Sequence, residues 1–151
     1  IIVIGTTGLQ TDQLKSLEIA SSRIPIFWAP NFSIGIAALV HAIEILSPTS
    51  ENFTANITET HHIHKKDAPS GSALAFAKAT LTGYPNLPPI ESIRLEEIIG
   101  EHTISFLGQD EKITISHEAL SREVFAKGAL QAAQFVLHKP PKLYGMKDLL
   151  H

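Results

Sequence analysis

Residues Glu59 to Asp67 (Glu-Thr-His-His-Ile-His-Lys-Lys-Asp) hold three histidines and two lysines within nine positions, with a carboxylate at each end. Pro69-Ser-Gly-Ser72 follows and opens an apolar run that reads as a helix. Cations beside a helix start make an anion site, because unpaired backbone N–H groups and the helix dipole both favour negative charge. Histidines add groups that carry protons near neutral pH. A lysine and backbone N–H groups hold carboxylates by charge-assisted hydrogen bonds. A neighbouring imidazolium can give a proton to a carbanion or enamine. Gly71 lets a ligand approach the backbone with no Cβ in the way. The pattern points to an enzyme acting on a small, carboxylate-bearing molecule.

Two other readings compete. His61, His62, His64 and Asp67 could be metal ligands, but adjacent Lys65 and Lys66 would repel a divalent cation and no usual zinc spacing is present. The cluster could also be a solvated strand end, although Asp-Ala-Pro-Ser-Gly supplies a turn and a helix start directly beside the cations. His62 and His64, two apart, are expected on one face of a strand. His41, His102, His117 and His138 are scattered in sequence and read as structural or exposed. Trp28 reads as core.

A second candidate site lies upstream. Gly5-Thr-Thr-Gly8 and Ala29-Pro-Asn-Phe-Ser33 each follow an apolar, strand-like run. In open α/β sheets ligands bind beyond the carboxyl ends of strands. These two loops could line one cofactor crevice, or be ordinary connections.

The elements that must position these groups follow from periodicity. Ile1 to Ile4 reads as a buried parallel strand. Thr11 is placed to cap a helix from about 12 to 21. Ile24 to Ala29 is the next strand, with Pro25 near its start. Ser33 caps a helix over 34–46, whose apolar face includes Ile34, Ala38 and Ile45. Strand–helix–strand–helix implies an α/β architecture with parallel strands. Thr54 to Lys65 is then a strand, Ser72 to Leu81 a helix and Gly83 to Pro89 a loop. Ser92 to Glu97, His102 to Leu107 and Lys112 to His117 read as three strands of a mostly antiparallel sheet. Arg122 to Leu137 is a final helix, stopped by Pro140-Pro141. The tail Leu143 to Leu150 is amphipathic enough to dock on a core.

Composition sets bounds. The chain has 151 residues, 44% hydrophobic and 18% charged, so it can bury a core. A net charge of −3 argues against nucleic acid, which selects a basic face. The absence of cysteine excludes disulfides and thiolate metal sites and fits a reducing cytoplasm. No apolar run approaches the roughly 18 residues needed to cross a membrane. Met146 is the only methionine, so the chain is expected to begin inside a longer one.

Glu59-x-His-His-x-x-Lys65-x-Asp-Ala-Pro-Ser-Gly-Ser-Ala73 resembles the signature of the dihydrodipicolinate reductases, also called 4-hydroxy-tetrahydrodipicolinate reductases, of bacterial lysine and diaminopimelate synthesis. Ile4-Gly-Thr-Thr-Gly8 is similar to the family's nicotinamide-side loop, and Ala29-Pro-Asn-Phe-Ser-Ile-Gly35 to the loop crossing between its two domains. Gly100-Glu-His-Thr-Ile-Ser-Phe106, Ile115 to Arg122 and Leu143 to Leu149 also fit. Two departures stand out: Ser72 replaces the usual threonine, and the Gly-rich pyrophosphate turn that opens the family's fold has no counterpart.

The resemblance implies a remnant of a Rossmann-type dinucleotide-binding domain (1–32 and 131–151) and an α+β substrate-binding and oligomerisation domain (33–130) with a mixed, largely antiparallel sheet. It implies NADH or NADPH as cofactor and a cyclic dicarboxylate imine as substrate. His61 is then the general acid and Lys65 binds substrate and stabilises charge. His62, Gly71 and Ser72 hold carboxylates. Gly5, Thr6, Thr7, Ala29, Asn31 and Phe32 lie by the nicotinamide. No metal, nucleic acid or membrane is implied; a cytoplasmic homo-oligomer, a tetramer, is. The rival reading is a non-catalytic dicarboxylate-binding or assembly module.

Overall fold

Three consecutive β-branched residues make Ile2–Ile4 a strand (β1), and the structure, a computed structural model that describes residues 1–150, pairs it in parallel with Ile26–Trp28 (β2). Helix Thr11–Ser21 (α1) joins them as a β–α–β unit. It starts at Thr11 itself rather than after it: Gln10 is the cap, and its N–H donates to Gln13 Oε1 at 2.8 Å. Strand β2 is shorter than its apolar run because Pro25 has no N–H to pair; only its carbonyl is used, by Ile2 N at 3.3 Å.

Helix Ile34–Leu46 (α2) starts where expected. Ser33 Oγ accepts from Ile36 N at 3.2 Å, and Asn31 Oδ1 accepts from Ser33 N at 2.8 Å. Its buried face is not the expected one. Ala38 and Ile45 are exposed, and Ile36 and Ile43, seven apart, are the buried pair. The helix is apolar nearly all round, so composition alone could not pick the face.

Contacts divide the chain into two units: Ile1–Ala37 with the chain from Glu123 onward, and Ala38–Arg122. The first unit closes with helix Glu123–Val136 (α4) and a short strand, Leu143–Tyr144 (β7), giving sheet order β1-β2-β7, all parallel. The docking tail therefore contributes a strand as well as apolar contacts. Phe27, Ala29, Phe32, Ala132, Val136 and Tyr144 form its core, with Met146 and Leu149 packed against it. Gly128 lets α4 come close to the 29–33 loop; a Cβ there would sit 1.8 Å from the Phe32 carbonyl oxygen.

The second unit is a mixed sheet covered by helix Gly71–Ala79 (α3). Strand Thr54–His61 (β3) pairs in parallel with Ile90–Arg94 (β4) and antiparallel with Glu101–Leu107 (β5), which pairs antiparallel with Lys112–Glu118 (β6). The spatial order is β4-β3-β5-β6. Strand β4 begins two residues before the expected Ser92 and is the parallel member. On the covered face, Ala55, Ile57, Ile104 and Phe106 meet Ala73, Phe76, Ala77 and Thr80, which recur at helical spacing. The opposite face carries Asn56, Thr58, Thr60, Thr103, Ser105, Thr114 and Ser116, with hydroxyl pairs Thr103–Ser116 at 3.1 Å and Ser105–Thr114 at 3.4 Å.

Candidate functional site

Period-two alternation along β3 decides which side chains do chemistry. Ala55, Ile57, Glu59 and His61 share the covered face, so the apolar row ends in a carboxylate and an imidazole. Glu59 has no exposed surface and His61 is 7% exposed. A buried carboxylate is tolerable only with strong partners. Arg94 Nη2 donates to Glu59 Oε1 at 2.9 Å, Ser70 N donates to Oε1 at 3.3 Å, His61 Nδ1 bonds Oε2, and Ser92 adds a side-chain hydrogen bond. Burial alone would raise the Glu59 carboxyl; hydrogen bonds from Arg94, Ser92 and His61, together with the His61 charge, hold it below its usual value.

Arg94 ties the next segment to the same point. Its Nη2 also donates to the Asp67 carbonyl at 2.6 Å and its Nε to the Lys65 carbonyl at 3.3 Å. One guanidinium thus fixes both ends of the Lys65–Asp67 turn. Within that turn Lys65 Nζ bonds Asp67 Oδ1 at 2.8 Å. Burial pushes the Asp67 carboxyl up, but Lys65, its own backbone and Arg94 bring it below its ordinary value.

Strand β3 stops at His61, so His62 and His64 do not share a strand face as expected. Leu95 N donates to the His61 carbonyl at 2.9 Å, Ile63 N donates to the Glu96 carbonyl at 3.2 Å, and a turn follows. Glu96 adopts a left-handed backbone (φ 47°), which rotates the chain out of β4 there. His62 is half-buried and His64 exposed, their ring centroids 6.3 Å apart. Among the described residues no three His, Asp or Glu side chains converge as a metal site.

The helix start forms beside this turn. Ser70 caps α3: its Oγ accepts from Ala73 N at 3.2 Å, while its own N–H is the donor to Glu59. Gly71 and Ser72 supply the first N–H groups of α3, and a Cβ on Gly71 would meet nothing within 4 Å.

His102 and His117, scattered in sequence, are not scattered in the fold. They face each other across β5 and β6, ring centroids 6.2 Å apart, and His102 packs edge-on to His61 at 4.9 Å. Ser70 Oγ lies 3.2 Å from His102 Nε2. Burial first, then the neighbouring His61 and His117, pushes His102 down to about 4. Burial lowers His61 as well, against the opposing pull of Glu59 and with help from Lys65 and Arg94. Gly100 leaves room for the ring, since a Cβ there would lie 2.9 Å from His61 Nε2.

The structure places His61, Lys65 and the α3 start near one another, and adds Arg94 and His102, which the sequence did not single out for the site. Arg94 is set by a parallel pairing across 33 residues of chain, with His61 opposite Arg94, and nothing local announces it. The hairpin turn at 108–110 could have placed His102 opposite His117 by register counting.

In the first unit, Trp28 is half-buried rather than core, and its Nε1 donates to the Thr6 carbonyl at 3.2 Å, latching the 5–8 loop to the end of β2. Gly5 faces Phe32, where a Cβ would lie 3.1 Å from the ring. Gly5, Thr6 and Thr7 are exposed, and Asn31 is half-buried. Ala29 and Phe32 are buried in the core, so what they offer beyond β2 is backbone.

The model of the N-terminal part of dihydrodipicolinate reductase matches residues 1–32, and that of its C-terminal part matches 35–150. The chain is 42% identical over 149 residues to the 4-hydroxy-tetrahydrodipicolinate reductase of Xanthomonas campestris pv. campestris (strain B100), covering 99% of this chain and 62% of that protein. It is equally similar, at 42% over 149 residues, to that of Xylella fastidiosa (strain M12). Its fold is similar to that of a dipicolinate-bound dihydrodipicolinate reductase from Paenisporosarcina sp. TG-14, with a TM-score of 0.77, 28% identity, and coverage of 97% of this chain and 63% of that one. The chain spans about three fifths of the length of the relatives it matches.

Proposed function

The chain belongs to the dihydrodipicolinate reductase family, and from that premise we propose that it serves the NAD(P)H-dependent reduction of 4-hydroxy-tetrahydrodipicolinate to tetrahydrodipicolinate in lysine and diaminopimelate synthesis. The observation that carries the reading is the buried Glu59–His61 pair, set beside a lysine turn and the N-terminus of α3. A proton donor and an anion cradle then lie in one unit, as a dicarboxylate that must be protonated on carbon requires.

The chain's own residues divide the work. Lys65 and the first N–H groups of α3, from Gly71 and Ser72, bind carboxylate; His62 adds a further donor. Lys65 exchanges its Asp67 partner for substrate, which offsets the loss of that ion pair. His61, as imidazolium, gives a proton to the enamine carbon and is left neutral. Because burial depresses its proton affinity, the imidazolium gives up that proton readily.

The β–α–β unit suits the nicotinamide end of a dinucleotide site: parallel strands β1 and β2 send the 5–8 and 29–33 loops out at their carboxyl ends, where Gly5 lets Phe32 pack against the 5–8 loop. Gly5, Thr6, Thr7, Ala29, Asn31 and Phe32 would hold the cofactor, which supplies hydride when bound. NADH and NADPH both suit these residues. No described helix is long and apolar enough to cross a membrane; with no cysteine in the chain, we place it in the cytoplasm. The hydroxyl-rich second face of the β4-β3-β5-β6 sheet is the surface we assign to a homo-oligomer, a tetramer.

Calorimetry with pyridine-2,6-dicarboxylate, a planar mimic of the substrate, tests the reading, followed by NADH- and NADPH-dependent reduction assays. Saturable binding with turnover supports it. Saturable binding without turnover favours a dicarboxylate-binding module instead, and no binding removes both.

A further inference from the structure

We infer that Glu59 is a positioning residue for His61: it fixes the imidazole as the Nδ1–H tautomer, so that Nε2 is the atom that gains and loses the transferred proton, while Arg94 holds Glu59 in register. The inference rests on the reductase reading above for its purpose, though not for its geometry.

Glu59 Oε1 takes hydrogen bonds from Arg94 Nη2 and Ser70 N, and Oε2 faces His61 Nδ1. An ionised carboxylate has lone pairs only, so the hydrogen between Oε2 and Nδ1 must sit on nitrogen. Arg94, Ser70, Ser92 and His61 converge on this one carboxylate, and each favours its charged form. A neutral His61 is therefore protonated at Nδ1 and bare at Nε2. Nε2 points to where Gly100 has no side chain, and a Cβ there would approach it to 2.9 Å. His102 closes another side of the ring, edge-on at 4.9 Å. The ring has little freedom to flip and exchange its nitrogens.

The consequence is a defined proton path. The proton on Nε2 of the imidazolium passes to the substrate carbon, whose electron pair forms the new C–H bond. The N–H bond breaks, and its electrons stay on Nε2. Nδ1–H remains on Glu59 throughout, and solvent restores the Nε2 proton. Four groups face His61: Glu59 from β3, Lys65 from the following turn, Arg94 from β4 and His102 from β5. Of these, Glu59 favours the imidazolium, and Lys65 and Arg94 oppose it.

The test is nitrogen-15 NMR of the imidazoles in the uniformly labelled chain, at pH values above the titration of His61. The expected spectrum shows His61 with Nδ1 protonated and Nε2 bare. Glu59→Gln is then expected to lose that preference and to move the His61 titration to lower pH, since the one group that raises it is gone. A wild-type spectrum with Nε2 protonated, or with the two tautomers mixed, overturns the inference without any mutant. So does a folded Glu59→Gln chain whose tautomer and titration match the wild type, because Glu59 would then only tie β3 to α3. If Glu59→Gln does not fold, Arg94→Lys is the second variant; it keeps the charge but loses the fork, and the His61 titration is expected to move toward lower pH. The Nδ1–H tautomer in a chain that reduces nothing would leave the positioning intact and sink the reductase reading alone.

Discussion

Arg94 and Glu59 meet at 2.9 Å on neighbouring parallel strands, the carboxylate without exposed surface and the guanidinium mostly covered. This pair closes the end of the β3–β4 ladder and places the Lys65–Asp67 turn, the α3 cap and His61 around one point. Removing one partner of a buried pair leaves the other charge stranded. Arg94→Ala is expected to destabilise the chain by about 3–5 kcal/mol, read as a lowered urea midpoint at neutral pH. A loss under about 1 kcal/mol would show that water reaches Glu59 and that the pair behaves as a surface ion pair.

His102 gives stability a slope in the mildly acid range. In the unfolded chain it titrates near 6.5, and in the fold at about 4. Between those values the unfolded state binds the extra proton, so stability is full above 6.5 and falls as pH drops toward 4. The loss approaches about 3 kcal/mol once both forms are protonated. His61 and His117 are lowered too and add in the same direction. Glu59, Asp67 and Asp148 are also lowered, and their share is lost only at still lower pH, below ordinary carboxylate values. Urea midpoints at several pH values, in wild type and His102→Gln, check this; the variant should show a flatter profile from 6.5 to 4.

Lys65 is expected to matter for ligand and little for fold. Its bond to Asp67 is partly exposed, and such pairs contribute about 0–1 kcal/mol. Lys65→Ala should leave the melting temperature within a few degrees of wild type. Its affinity for pyridine-2,6-dicarboxylate should fall about tenfold or more, and any NADH-dependent turnover by about 10²–10⁴. Unchanged affinity would remove Lys65 from the site.

Two glycines should respond in opposite ways. Gly128→Ala drives a Cβ into the Phe32 carbonyl oxygen, 1.8 Å away, and helix α4 must shift. Overpacking of this kind costs about 1–3 kcal/mol. Gly71→Ala meets nothing within 4 Å and should be neutral in thermal melts. It should nevertheless weaken dicarboxylate binding in calorimetry, because the new methyl group stands before the first N–H groups of α3. Equal effects of the two changes on stability would contradict this contrast.

Local pattern determined much of this protein. The Ile1–Ile4 run, the Ser33 cap and the alanine-rich stretch after Ser70 each specify their element through short-range sterics and hydrogen bonding. The same holds for the His/Lys cluster beside a helix start, whose anion affinity is a property of neighbouring residues. Even the face shared by Glu59 and His61 follows from a strand's period of two. The limits of local pattern show in α2, where apolar residues surround the helix and only packing selected Ile36 and Ile43 over Ile45. They show again at His62 and His64, which lie beyond the end of β3 because the backbone partners of the Leu95–Ile98 turn end the ladder. Arg94 came to Glu59, and His102 to His61, through strand pairings far apart in sequence, where register and burial decide. Tertiary structure thereby settled what the cluster alone left open: which histidine is buried against a carboxylate, and what holds it there.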